Sequence, residues 1–226
     1  MNSVVTVLAA LCSLAAAAAR LPRWRIPESR PFTVGLALLA AWALLRTPAL
    51  IGSANEMALP SGHFERFPGL IADMSLVGAG ALIGVTVANA WGRALLERAF
   101  YLGLIALEAA LLLTYDPLHP SYVTAQSHNW ILALAGVAVN GVVVAASVLS
   151  YRTVPPGFRL PLALFMFGGL SGVAVAAVRI ITLLRPEGPQ VNAWSPIVSI
   201  PVFGFALGSL VASRRMRKQA REDTLR

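Results

Sequence analysis

The stretch G69-LIADMSLVGAGALIGVTVANA-W91 holds 23 residues with a single charge, Asp73. At about 1.5 Å per residue a helix of that length exceeds the roughly 30 Å hydrocarbon core of a bilayer. Glycine and alanine recur at Gly80, Gly84 and Ala88 on the face that carries Asp73. Small residues at every third or fourth position let helices approach closely, so this face is expected to be a helix contact rather than a lipid surface. A membrane-spanning helix with an inward-facing carboxylate is the reading from which the rest follows.

Six more apolar stretches surround it, and the spans fall approximately at 2–19, 32–52, 69–91, 98–115, 129–150, 158–184 and 195–213. A composition 57% hydrophobic and 12% charged suits such packing along most of the chain. Backbone polar groups at membrane depth are satisfied inside helices when connections are this short. The expected fold is therefore all-α, a single seven-helix transmembrane bundle over 1–213 followed by a short basic tail, 214–226.

Lys and Arg set the orientation, because basic loops stay on the cytoplasmic side. One side receives fourteen of the eighteen: Arg20, Arg23, Arg25, Arg30, Arg93, Arg98, Arg152, Arg159, and Arg214 to Arg226 in the tail. The other receives only Arg66 and Arg185, while Arg46 and Arg179 fall inside spans. The N-terminus is expected outside and the C-terminus in the cytoplasm, in the cytoplasmic membrane of a bacterium. Acidic residues divide four and four, so the inner face carries a net +10 and the outer face −2. Tyr115, Tyr122, Trp130 and Trp194 near one boundary, with Trp24, Trp91 and Tyr151 near the other, form the aromatic belts such a protein needs.

The net charge of +8 is thus topology and not a nucleic-acid footprint, which would gather cations on one folded surface. Arg214, Arg215, Arg217 and Lys218 are the strongest candidates for contact with anionic lipid headgroups. The first span lacks a preceding positive charge and is followed by four arginines, which favours an inserted helix over a cleaved signal peptide. Cys12 is the only cysteine, which rules out an internal disulfide and any multi-cysteine metal site.

Ionisable groups inside spans are costly and usually face a bundle interior or a wet cavity. Arg46, Asp73, Glu108 and Arg179 lie on the second, third, fourth and sixth spans, and Asn140 adds an amide on the fifth. Arg46, Asp73 and Arg179 sit roughly 6–10 Å inside the outer boundary, with Glu108 deeper. Arg179 shares a face with Gly168, Gly172 and Ala176, Asn140 with Ala133, Gly136 and Ser147, and Glu108 with Tyr101, Leu104, Leu111 and Tyr115. Two readings follow: a ligand or ion site floored by these five residues, or ion pairs of Asp73 and Glu108 with Arg46 and Arg179 that only fix helix registry.

Other chemical signals are thin. Gly169-Leu170-Ser171-Gly172 resembles the GxSG string of rhomboid proteases, but a serine nucleophile there needs a histidine from a later helix and none follows His128. His63, His119 and His128 are expected on the outer side with Glu56, Glu65 and Asp116, in spacings that match no metal-ligand pattern. No catalytic residue, cofactor or metal is assigned, and an enzyme is not expected.

Seven spans in this orientation are similar in topology to the SWEET sugar transporters, without their paired membrane prolines; Pro48, Pro196 and Pro201 are expected to bend the second and seventh helices instead. The first span running into Arg20-Leu21-Pro22, the polar loop after span two, and Gly157-Phe158-Arg159-Leu160 opening a glycine-rich span resemble an actinobacterial family of seven-helix membrane proteins often labelled transporters. That resemblance implies a cytoplasmic C-terminal domain, where this sequence has the fourteen residues 213–226. Arginine-rich, lysine-poor composition fits a high-GC bacterium. The expected partners are the lipid bilayer and a small solute or ion, and the alternative is a sensor or assembly subunit that works through a membrane partner or a second copy.

Overall fold

The computed structural model describes residues 2–47, 67–115, 126–184 and 194–224. Seven α-helices and two 3-10 turns make up these residues, without a strand among them. The helices are α1 (Asn2–Arg20), α2 (Arg30–Leu45), α3 (Phe67–Ala90), α4 (Ala94–Leu113), α5 (Gln126–Tyr151), α6 (Pro156–Leu184) and α7 (Trp194–Thr224). Among the described residues five helices are long and apolar enough to cross a membrane, over Val4–Arg23, Gly69–Ala90, Ser127–Tyr151, Pro156–Leu184 and Ile197–Gln219. The described part of α2 is 16 residues long, and α4 carries Glu97, Arg98 and Glu108 within its 20.

Turn chemistry explains the ends. Gly92 adopts φ 63°, its N–H bonds to the carbonyl of Asn89, and the N–H of Arg93 reaches back to Ala88. This Schellman arrangement satisfies the last carbonyls of α3 and suits glycine, which alone carries no Cβ penalty at positive φ. α4 then starts almost at once. Between α1 and α2 the turns Leu21–Arg23 and Pro27–Ser29 place a proline at their first or second position. Arg20 clamps this elbow, its Nη2 donating to Ser29 Oγ at 3.0 Å and its Nε to Thr33 Oγ1 at 3.4 Å.

Six helices form a closed ring in the order α3, α2, α1, α7, α6, α5 and back to α3, while α4 packs outside it against α3. Leu36, Leu39 and Trp42 of α2, Ile83 of α3, Val202 and Phe205 of α7 fill the interior. Phe165 of α6 meets Phe32 edge-on, with ring centroids 5.6 Å apart and planes at 89°. A smaller apolar cluster, Leu70, Val77, Leu111 and Leu132, joins α3, α4 and α5. With α4 outside, Leu95, Leu102, Ile105 and Leu113 stay exposed.

Glycines set the closest approaches. A Cβ on Gly204 would stand 2.5 Å from the Cα of Gly168, and one on Gly80 would meet Val139 of α5 at 3.1 Å. Gly84 lies under the Phe100 ring of α4 and Gly78 against Leu38 of α2, so the small face of α3 serves three neighbours. Three boundaries differ from the sequence reading. α2 stops at Leu45, which puts Arg46 in its C-cap instead of inside the helix. Residues 214–224, read as a tail, continue α7 as helix. His128, expected in a loop, is buried in the first turn of α5. Pro201 lies inside α7, while Pro48 falls outside the described residues, as do Glu56, His63, Glu65, Asp116, His119, Tyr122 and Arg185.

A methyl group at position 204 meets backbone that has no rotamer to change, so the overpacking cost of about 1–3 kcal/mol outweighs the roughly 1 kcal/mol that alanine gains over glycine in a helix. Gly204→Ala is therefore expected to lower the thermal unfolding midpoint of the purified protein. Gly141→Ala, whose Cβ meets nothing within 4 Å, is expected to leave it unchanged or raise it.

Candidate functional site

α2, α4 and α6 end where α3, α5 and α7 begin, and this end of the bundle, the upper end, gathers the polar side chains. Arg46, in the C-cap of α2, donates from Nη2 to Asp73 Oδ1 of α3 at 2.5 Å. The other carboxylate oxygen, Oδ2, lies 3.2 Å from His128 Nε2 of α5. His128 Nδ1 is 3.2 Å from Thr114 Oγ1, which caps the end of α4 and donates to the carbonyl of Ala110 at 2.7 Å. One carboxylate, 1% exposed, thus ties four helices together at one level. Arg179 of α6 completes the end of the bundle: its Nη2 donates to Asn129 Oδ1 at 2.7 Å, next to His128 in the chain.

Below this cluster lies a cavity of about 100 Å³ bounded by α2, α3, α5, α6 and α7. Gly80, Ala133, Gly136, Gly172 and Ala176 are among its lining residues, and a Cβ on Gly80, Gly136 or Gly172 would meet Val139, Ala176 or Asn140. Leu39, Leu76, Val198 and Phe205 are among the apolar residues of the remaining surface, while Arg179 at the top and Asn140 lower down are its polar members among the described residues. Asn140 is turned into its own helix, Nδ2 donating to the carbonyl of Gly136 at 2.7 Å, and its amide fills the space a Gly172 side chain would need. Seven residues separate Gly172 from Arg179, so the two polar groups stand about 10 Å apart along the axis.

Of the five sequence candidates, Arg46 and Asp73 meet directly, Arg179 joins their cluster to the cavity, and Asn140 lines that cavity. Glu108 is not brought to it. It lies in the seam between α4 and α3, outside the ring, with Oε1 3.6 Å from where a Gly78 Cβ would stand. Its Oε2 is buried without a hydrogen-bond partner among the described residues, and the expected pairing of Glu108 with Arg46 or Arg179 is not formed. The sequence reading missed His128, Asn129 and Thr114. Their signal was the polar run Ser127-His128-Asn129 opening a span, with Thr114 closing the one before.

At the opposite end, Arg214, Arg215, Arg217 and Lys218 are exposed along α7. Arg217 Nη2 donates to the carbonyl of Ala19 at 2.9 Å, and Arg23 reaches Met216 Sδ at 2.7 Å, so this segment is docked against α1. Ser171 of the GxSG string donates to the carbonyls of Phe167 and Gly168. Among the described residues no three His, Cys, Asp or Glu side chains cluster as metal ligands. No family model, no curated protein and no solved structure matches the chain.

Removing one member of a buried pair strands the other charge, at a cost of about 3 kcal/mol or more. Asp73→Asn is expected to destabilise the bundle by that order in thermal or denaturant unfolding. Glu108→Gln removes a carboxylate with no cation beside it and is expected to change stability by less than about 1 kcal/mol, or to raise it.

Proposed function

We propose that this chain is a multi-pass protein of the bacterial cytoplasmic membrane, with seven spans, the N-terminus outside and the C-terminus inside, that binds and moves a small solute through its ring of helices. The arginine distribution supports the orientation, and it makes the upper end the outer one. α2 and α4, short or charged as they are, complete the bundle as spans because each packs along α3, itself long enough to cross.

The cavity below Arg179 is the observation that carries the functional reading. Helical interiors pack to crystal density, and a space of about 100 Å³ among five helices departs from that packing. A bundle that keeps such a space open on the bundle axis, with a guanidinium in its wall, is arranged for an occupant. Binding between helices around polar groups near the middle of the membrane is the pattern of secondary transporters. The prolines fit this too: Pro201 lines the cavity and removes a backbone hydrogen bond from α7 at that level. A subunit that only docks on a partner gains nothing from an internal void, and the exposed leucines of α4 are accounted for by lipid.

The test uses a Cys12→Ser background carrying Val175→Cys, one helical turn below Arg179 in the cavity wall. A small membrane-impermeant thiol reagent added outside intact cells is expected to label position 175 and to leave a Gln219→Cys control unlabelled. Protection of position 175, with an outer-loop Ser61→Cys control labelled, would contradict an outward-open cavity.

A further inference from the structure

Resting on that reading of the cavity, we infer that its occupant is a small monocarboxylate, bound through its carboxylate to Arg179 with its apolar end directed toward Leu76, Val139 and Phe205. Chemistry selects this class. Among the described residues Arg179 is the one formally charged group in the cavity wall. A planar guanidinium presents paired N–H donors that match a carboxylate in a bidentate fork, which makes Arg the residue suited to such a group.

Other solute classes fit less well. A cation would meet Arg179 without a carboxylate in the wall, since Asp73 is engaged above it by Arg46 and His128, and Glu108 lies outside the ring. A sugar needs several donors and acceptors, whereas the wall below Arg179 offers only the Asn140 amide, already turned toward Gly136. A dicarboxylate would carry its second charge into a surface of leucine, valine and phenylalanine, where an unpaired charge is heavily penalised.

Asn129 and Asp73 then act as positioning residues. Asn129 Oδ1 holds one edge of the Arg179 guanidinium at 2.7 Å, which fixes the direction in which the fork points. Asp73 lies close enough to act electrostatically on Arg179 while being neutralised directly by Arg46.

The experiment measures ligand-induced thermal stabilisation of the purified full-length protein in a carboxylate-free buffer, with propionate and its neutral isostere propionamide as probes. Saturable stabilisation by propionate, at least about tenfold tighter than by propionamide, is the expected result. Arg179→Gln is expected to remove the propionate preference, and Arg179→Lys, which keeps the charge but loses the fork, to weaken propionate by roughly tenfold without abolishing it. Val175→Phe, which fills the cavity, is expected to remove binding of both probes. Equal binding of the two probes would overturn the carboxylate assignment while leaving a solute-binding cavity in place. Binding of neither would overturn it as well, and the accessibility of a cysteine at position 175 then decides whether the cavity reading falls with it. Should Arg179→Gln fail to fold, the comparison of the two probes on the unaltered protein still decides the inference.

Discussion

A carboxylate that is 1% exposed in an otherwise apolar bundle must be met by partners, and the need to satisfy Asp73 organises the upper end of this protein. Arg46 comes from α2, His128 from α5, and Thr114 reaches His128 from α4. Each of these groups sits at a helix end, where loops could have gone elsewhere, so the carboxylate decides how far each helix runs before it turns. Arg46 is also well placed in the C-cap of α2, because a cation there complements the negative end of the helix dipole. Buried ion pairs add little net stability over apolar residues of the same size. What Asp73 supplies is register, since slipping α2 or α3 by one residue would part Asp73 from Arg46.

Register at the top is matched by close contact lower down. Gly168 and Gly204 bring α6 against α7, Gly169 brings α6 against α5, and Gly80 brings α3 against α5. The cavity sits among these contacts, bounded by five helices. The ring of helices around it, pinned at Asp73 above and at the α6–α7 crossing below, sets its width. Arg179 connects the two features, lining the void while its guanidinium bonds beside His128.

All seven helices were legible as apolar runs, because length and hydrophobicity report on burial of a whole helix. Their ends were less so. Hydropathy marks where the apolar surface stops and not where the backbone does, so α7 continues through Arg214–Lys218 into a stretch that carries no proline or glycine to end it. His128 was hidden for the same reason: a polar residue just before an apolar run looks like loop. The inward face of Asp73 could be read from the glycine spacing on α3, and its partner Arg46 was among the candidates. The place of Glu108 could not. α4 is apolar on nearly every side, which leaves no angular contrast to tell a helix inside the ring from one outside it.

The claim on which the account turns is that Asp73 and its partners act as one unit, and a double-mutant cycle on Arg46→Met, Asp73→Leu and the combined variant measures this most directly. The account predicts a coupling energy of about 1–3 kcal/mol, with the double variant markedly more stable than the sum of the two single losses implies. Strict additivity of the two losses would contradict it, and would mean that the upper end of the bundle is held by its apolar packing alone.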